Sequence, residues 1–441
     1  MSSLGIITLA AYFVAVYAIG LWAKRRETTS DFLIANRSVG TFLTTASVSA
    51  VIGGVFLGSV SALAFELGLG ALWLVAGFAA GLALLGIVAA RIKSIADQHD
   101  FLTLSDYLFT KFDARTGYLG AVILFAAFLF LLAGQFIVGG QLFAALFSIE
   151  YSVAVIAMGV ATLAYLLLGG FTAVIRTDLL QFAVMLLVFV LLVPLNMDVK
   201  QLDLQWNITS PGLLGMASLF LSGVAGMFMG ADIWQRVYSA RTWRVARNSL
   251  LVSATVWLVF GLCLVLLGIA AHGDPSVTAD RALLYGLFEL LPKQLAGIAT
   301  VALLAALMST IDTEVFLLSS SVAKDFISKS IELNQGGLAR IVRIAMIGVT
   351  MPAMMLAIFW PNVLEVLFVF SSLMLALFPV VLVSLFWTLQ PTTAFVSMLV
   401  GSSLLALSLL LGWSSPDSAP LLVLLGASTV VLFGTVRRRS A

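Results

Sequence analysis

The sequence predicts an all-α, polytopic membrane protein in which two repeats of five helices have opposite orientations. Of its 441 residues, 61% are hydrophobic and only 10% are charged, a composition that excludes a soluble globular protein. Apolar runs of about twenty residues recur along the whole chain. In addition, glycines interrupt two of these runs at corresponding positions of the two repeats.

Counting the apolar runs gives about thirteen spanning helices. Their approximate spans are 3–23, 41–65, 70–92, 117–147, 151–168, 174–196, 212–235, 246–271, 294–322, 340–360, 362–388, 392–412 and 418–435. Basic residues lie in alternate connections, which are Lys24–Arg37, Arg91–Arg115, Arg176, Arg236–Arg247, Lys324–Arg343 and Arg437–Arg439. Because positive connections stay inside, we expect a cell-membrane protein, in a bacterial inner membrane, with its amino terminus outside and its carboxyl terminus in the cytoplasm.

The helices divide the chain into five regions. These are an extra helix with a cytoplasmic segment (1–40), a first five-helix repeat (41–196), an outer loop (197–211), a second, inverted repeat (212–388), and two final helices with a basic tail (389–441). An odd number of helices in each repeat forces opposite orientations. Glycines interrupt the first helix of each repeat, namely Gly53 and Gly54, then Gly223, Gly226 and Gly230. Such interruptions favour unwound backbone that binds cations, although close helix packing is an alternative.

The stretch Val301–Asp325 carries polar residues at the depth of the membrane. Ser309, Asp312 and Thr313 share one helical face, with Thr310 beside them, and a carboxylate there indicates an ion or proton path. A face of oxygens suits a hard cation such as sodium. Glu314 lies nearly opposite Asp312. For Glu314 an ion pair with a neighbouring helix, a second proton site and a water-filled vestibule all stay open.

Several classes of function are excluded by what the sequence lacks. It has one cysteine and two histidines far apart, so no metal-ligand spacing is present. It shows no nucleophile beside a base and no phosphate-binding loop, so we do not expect an enzyme. The net charge of +2 is spread over short clusters, which does not indicate nucleic acid binding.

Three motifs together resemble the sodium/solute symporter family. They are SDFLIANRSVG at 30–40, GGFTAVIRTDLLQ at 169–181, and AALMSTIDTEVFLLSSSVAKDF at 305–326. The resemblance extends from the first helix to about Leu410. It implies the fold of the leucine transporter, a core of two inverted five-helix units, here with one extra helix before the core and two after it.

The resemblance also implies that sodium binds between the first and eighth core helices. Matching Val55–Ala62 to the family pattern assigns the carbonyls of Val48 and Val51, the carbonyl of Ala306 and the hydroxyls of Ser309 and Thr310. Some members bind a second sodium ion nearer the cytoplasm, and the positions that match are Asp178, Asp312 and Thr313. Asp312 departs from the hydroxyl that is usual there, so this second site binds either sodium or a proton. A helix cap is the alternative role of Asp178.

The resemblance implies that the substrate is a small organic solute, which the family binds beside the first break. The positions that match are Ala50, Ile52, Gly54, Val55, Phe56, Gln135 and Trp234. Their apolar character, and the absence of an aromatic residue at positions 50 and 51, do not favour a quaternary ammonium. Gln135 either binds a polar substrate or joins two helices by a hydrogen bond.

We therefore expect a sodium-coupled symporter with sodium as its coupling ion. Two alternatives stay open, a proton-coupled symporter that uses Asp312 and Asp178, and a membrane sensor that binds solute without net transport. The expected partners are the solute, sodium ions and the lipid bilayer. The sequence does not identify the solute, the stoichiometry or the oligomeric state.

Overall fold

A computed structural model describes residues 3–24, 29–167, 170–193, 207–289, 291–328, 331, 334–412, 419–434 and 436–438. Arg25, Arg26, Gly169 and most of the expected outer loop 197–211 lie outside these residues. Nearly all of the described chain is helical, as the apolar composition requires, because a backbone in lipid must satisfy its hydrogen bonds within the segment. The predicted all-α class is confirmed.

The first half of the chain forms nine helices of very different length within its described part. They are α1 (Ser3–Lys24), α2 (Thr29–Ile34), α3 (Thr41–Ala50), α4 (Gly54–Leu67), α5 (Leu72–Gln98), α6 (Leu104–Lys111), α7 (Ala114–Phe147), α8 (Tyr151–Leu166) and α9 (Phe171–Met185). A π-helical segment, Leu186–Leu192, continues α9. Short 3₁₀ turns lie at Ala35–Arg37 and Gly68–Ala71.

The second half of the described chain also consists mainly of helices. Its helices are α10 (Gly212–Phe228), α11 (Ala231–Ser239), α12 (Trp243–His272), α13 (Ala282–Phe288), α14 (Ala296–Ser321), α15 (Gln335–Phe359), α16 (Val363–Phe386), α17 (Pro391–Leu410) and α18 (Ala419–Phe433). Val322–Ile327 continues α14 as a π-helix, and 3₁₀ turns lie at Ala279–Arg281 and Lys293–Leu295. Strands β1 (Trp387–Leu389) and β2 (Val436–Arg438) pair antiparallel, with Trp387 opposite Arg438.

Nine segments of the described chain are long and apolar enough to cross a membrane. Three shorter apolar helices, Ile7–Trp22, Tyr151–Ala164 and Ala419–Phe433, add to them. The polytopic class is therefore confirmed, whereas the total of thirteen spans stays a prediction. The sequence missed the short helices α2, α6 and α13, which lie in the connections between apolar runs.

Two helices are broken where the sequence predicts it. The first break separates α3 from α4 at residues 51–53, where Gly53 is extended with φ −82° and ψ 179°. The second separates α10 from α11 at Met229 and Gly230, where Gly230 has φ −56° and ψ 97°. Each break removes intrahelical hydrogen bonds and leaves backbone carbonyls for other partners.

The glycines of the second run serve three different purposes. Gly223 packs against α5, since a Cβ there would lie 2.6 Å from the carbonyl oxygen of Leu74. Gly226 lines the cavity described below, and Gly230 forms the break. Close packing and helix interruption, which the sequence left as alternatives, therefore both occur, at different glycines.

The segment Ser30–Gly40 joins the ends of the two broken helices. Val39 donates its amide to Ser239 O at 3.1 Å, and Arg241 donates its amide to Val39 O at 2.9 Å. The Arg37 guanidinium also donates to Phe101 O at 2.9 Å. The beginning of α3 and the end of α11 thus meet on the predicted cytoplasmic side.

The contact between α5 and α10 depends on glycines that admit backbone atoms. A Cβ at Gly77 would lie 2.2 Å from Phe220 O, so we expect Gly77→Ala to lower the free energy of unfolding by about 1–3 kcal/mol. Gly348→Ala is the matched control, because nothing lies within 4 Å of its Cβ position. Thermal unfolding in detergent measures both. Equal stability of the two variants would contradict this account of the contact.

Candidate functional site

Ser309 and Thr310 of α14 lie against the first break, buried within the protein. Their exposed fractions are 0% and 2%, so neither faces lipid. The Ser309 hydroxyl lies 2.8 Å from Ala50 O and 2.9 Å from Ala306 O, and the Thr310 hydroxyl lies 3.1 Å from Ala306 O. The hydroxyls therefore do bond back to their own helix, as many membrane serines do, but Ser309 also reaches the broken helix.

The backbone at the first break turns its carbonyls away from helical partners. Ile52 donates its amide to Ser49 O at 3.4 Å rather than to Val48 O, its usual acceptor in an α-helix. Gly53 donates to Val51 O at 2.7 Å. Gly53 also lies directly on Thr310, since a Cβ there would come within 2.4 Å of the Thr310 hydroxyl.

The carbonyls of Val48, Val51 and Ala306 and the hydroxyls of Ser309 and Thr310 form a candidate sodium site, which we call the first ion site. The structure brings the segments of all five residues together and adds the carbonyl of Ala50, which the sequence assigned to the substrate instead. Every donor atom is a neutral oxygen. That chemistry fits a hard monovalent cation and does not fit a soft metal.

One helical turn from Ser309 along α14, four helices meet at a buried ion pair. The sequence did not predict this pair. Arg236 of α11 lies 3.0 Å from Asp178 Oδ2 of α9, and both side chains are at most 1% exposed. The guanidinium also donates to the hydroxyls of Ser47 in α3 (2.7 Å) and Thr313 in α14 (2.9 Å). The Ser47 hydroxyl in turn donates to Asp178 Oδ2 at 2.5 Å.

This arrangement changes the interpretation of the expected second ion site. Asp178 and Thr313 do come together, but both contact the guanidinium of Arg236. Asp312 lines a separate small cavity with Thr177 of α9, and its Oδ1 accepts from the Thr313 amide at 2.7 Å. The sequence predicts that Arg236 begins a basic connection, whereas the structure places it inside α11 with its side chain fully buried.

A small cavity of ≈ 40 Å³ lies beside the two breaks, and we call it the break cavity. Three of the predicted substrate residues line it, namely Val55, Phe56 and Gln135, and so does Val51 of the first ion site. Gln135 Oε1 accepts from the Val55 amide at 3.2 Å, and its Nε2 donates to Glu314 Oε1 at 3.2 Å. Both alternatives for Gln135 are therefore compatible with its position, since it joins helices and faces the cavity.

Other predicted substrate residues do not line this cavity. Ile52 is buried away from it, and Gly54 packs on Leu307, whose Cδ2 lies 2.3 Å from a Cβ placed at residue 54. Trp234 donates its indole N–H to Phe228 O at 2.6 Å across the second break. It thereby satisfies a carbonyl that the break frees, so its role here is structural.

Several residues that line the break cavity were not predicted from the sequence. Glu314 and Asp232 line it, as do the aromatic side chains of Phe78, Trp257 and Phe370. A usable signal was present for Glu314, because it stands four residues after Thr310 and therefore shares its face. The aromatic residues come from helices without a motif, and only the fold brings them here.

A much larger vestibule, ≈ 910 Å³, lies near the beginning of α14 and the end of α7. Thr300, Gln141 and Tyr285 line it, together with the charged residues Asp280, Arg281, Glu289 and Lys293. Thr300 precedes Ser309 by nine residues, which is roughly 14 Å along the helix. The vestibule is therefore distinct from the break cavity.

Comparison with known proteins identifies transporters throughout. The profile of the sodium:solute symporter family matches residues 32–401. The sodium/proline symporter of Haemophilus influenzae is 29% identical over 90% of this chain and 86% of its own length. That of Escherichia coli is 26% identical over 92% and 88%.

Solved structures show the same fold at low identity. A sodium-coupled sialic acid symporter superposes with a TM-score of 0.80 over 99% of this chain and 100% of its own, at 16% identity. A nucleobase-cation-symport-1 family transporter gives 0.61 over 91% and 93%, at 14% identity. The leucine-transporter-like architecture is therefore confirmed.

Removing one partner of the buried ion pair should strongly destabilise the protein. We expect Arg236→Met to lower the free energy of unfolding by about 3–5 kcal/mol, because Asp178 then stays buried without a counter-ion. The double variant Arg236→Met, Asp178→Asn should recover most of that loss. Thermal unfolding in detergent measures both. A double variant as unstable as the single one would contradict the pairing.

Proposed function

Because the chain belongs to the sodium:solute symporter family, we propose that it imports a small organic solute together with sodium by alternating access. The family and the relatives are transporters rather than enzymes. The observation that carries the proposal is the contact between Ser309 and Ala50 O, which places hydroxyls of α14 on unwound backbone of the first broken helix. Localisation in a bacterial inner membrane, with the amino terminus outside, is part of the proposal.

Sodium would couple to the solute through Thr310. Its hydroxyl belongs to the first ion site, and its side chain also lines the break cavity. An ion that draws α14 and the first break together therefore shapes the wall against which the solute binds. Coupling of this kind is a shared binding free energy, so each ligand tightens the other by the same factor.

A single coupling sodium is the stoichiometry we propose. Arg236 already supplies a positive charge to Asp178 and a donor to Thr313, which are two members of the expected second site. This favours a permanent contact between helices, instead of a second sodium site, at that position. The same pairing weakens the proton-coupled alternative for Asp178, although Asp312 still allows it. Proton coupling predicts uptake driven by a pH gradient in sodium-free vesicles, and a sensor predicts binding without uptake.

Proline is the first solute to test, because the relatives at 25–29% identity are named as proline transporters. The experiment is a thermal-shift screen of purified protein against amino acids, sugars, vitamins and monocarboxylates. Each compound is measured in sodium and again in potassium, because a coupled ligand stabilises the protein only together with its ion. A screen in which sodium and potassium act alike would overturn sodium coupling.

Removing one hydroxyl of the first ion site should weaken sodium binding. We expect Ser309→Ala and Thr310→Ala each to lower apparent sodium affinity by at least tenfold, since a polar contact to a charge contributes about 1.5–3 kcal/mol. The measurement is the sodium dependence of the melting temperature, which needs no solute. Ser320→Ala, a buried serine of the same helix three turns away, is the control. Unchanged sodium dependence in both variants would sink the assignment.

Gly53 offers a test that removes no oxygen ligand from the sequence but shifts one of them. A Cβ at Gly53 would lie 2.4 Å from the Thr310 hydroxyl, so Gly53→Ala should displace Thr310 and lower apparent sodium affinity about tenfold or more. Gly40→Ala introduces the same methyl group where nothing lies within 4 Å. Titration of both variants with sodium should separate them, and identical affinities would count against a site at this position.

A further inference from the structure

Glu314 is a buried carboxylate that the proposed sodium site does not use. It is 1% exposed, near the middle of α14, and lines the break cavity. Its Oε1 accepts from Gln135, whereas its Oε2 has no hydrogen-bond partner among the described residues. An unpaired oxygen of a buried acid is costly, so it indicates a partner that arrives from outside the protein.

A second carboxylate lines the same cavity. Asp232 lies in the first turn of α11, where the helix N-terminus partly balances its charge. The described side chains around the cavity include no basic group, and the nearby Arg236 is already paired with Asp178. The cavity therefore has two acidic side chains and no basic one among the described residues that line it.

The other walls of the cavity are aromatic. Phe56, Phe78 and Trp257 form one cluster, with ring centroids 4.6–5.7 Å apart. Aromatic faces attract cations, and they do so most strongly where water is excluded. Trp257 adds a second, independent signal, since its buried indole N–H has no acceptor among the described residues.

From these contacts we infer that the solute carries a positively charged nitrogen, an amine or ammonium, which binds between Glu314 and the aromatic cluster. An acceptor oxygen on the solute, such as a carboxylate, pairs with the Trp257 indole. The sequence alone did not favour an ammonium, because it considered only positions 50 and 51. The aromatic residues come instead from α4, α5 and α12.

The arrangement also explains how two cations bind close together. The first ion site consists of neutral oxygens, and Glu314 stands one helical turn from Thr310 on the same face. Glu314 and Asp232 supply two carboxyl groups that can ionise to balance the charges of sodium and the ammonium. The cavity of ≈ 40 Å³ holds only a few waters, so the walls must move apart to admit the solute.

The inference rests on the proposed symport and is tested by pairs of compounds that differ in one charged nitrogen. The pairs are proline and cyclopentanecarboxylate, pyrrolidine and tetrahydrofuran, and choline and 3,3-dimethylbutan-1-ol. Thermal shifts of the full-length protein are measured in sodium and in potassium. Within at least one pair, we expect the member with the charged nitrogen, called the charged member, to bind at least tenfold more tightly than its isostere without that nitrogen, and only in sodium.

Variants of the protein then test which residues cause the preference for a charged nitrogen. Glu314→Gln keeps the shape and an acceptor for Gln135, and it should abolish the preference for the charged member. Glu66→Gln makes the same change at an exposed position and should preserve it. Trp257→Phe should weaken binding of a zwitterion such as proline while leaving a simple ammonium unaffected.

The outcomes separate this inference from the proposed function. If sodium shifts the melting temperature through Ser309 and Thr310, but no charged member exceeds its isostere, the inference is overturned and sodium binding stands. A charge preference that survives Glu314→Gln overturns it as well. If sodium and potassium act alike throughout, the proposed symport itself fails.

Discussion

The ion pair between Arg236 and Asp178 is the interaction on which the centre of this molecule depends. It joins one helix from each predicted repeat, and the hydroxyls of Ser47 and Thr313 extend it to a second helix from each. Four helices that are far apart in sequence thereby share one charge-compensated contact. A buried pair is not itself strong evidence for stability, but its loss on one side is expensive, which fixes the position of these helices.

Near that contact, two broken helices free backbone carbonyls from their usual hydrogen bonds. In a continuous helix the backbone carbonyls accept hydrogen bonds from the same helix. A break frees some of them, and it is tolerated only where the broken backbone is shielded from lipid. The first break presents Ala50 O to Ser309, and the second has its freed carbonyl at Phe228 satisfied by Trp234. A side chain therefore donates to a carbonyl at each break. At the first break the donor is a hydroxyl, whose oxygen can also bind a cation, whereas at the second it is an indole N–H, which cannot.

The sequence predicted the fold class, both breaks and the hydroxyls of Ser309 and Thr310, because each leaves a local signal. Apolar runs, glycine pairs and i, i+4 spacing are all visible along one segment. Arg236 was misplaced because its charge resembles the basic residues that follow it, and only the three-dimensional structure shows that it is buried beside Asp178. The break cavity was predicted in part, since Val55, Phe56 and Gln135 belong to it.

What escaped prediction was the set of contacts between distant helices. Phe78 and Trp257 carry no motif, and nothing in their own segments distinguishes them from core aromatics. Glu314 was compared with Asp312, from which it points away, instead of with Thr310, beside which it stands. Local periodicity assigns a residue to a face, but the neighbour of that face is a property of the whole fold.

The pairing of Val39 with Ser239 and Arg241 holds the two broken helices together at their ends. In the part of the chain that the structure describes, two backbone hydrogen bonds tie the beginning of α3 to the end of α11 there, and each contributes a net of about 1 kcal/mol because water offers replacement partners. The ion pair between Arg236 and Asp178, lying deeper, has no such replacement. Breaking these two backbone hydrogen bonds would therefore cost much less than removing one partner of the buried ion pair.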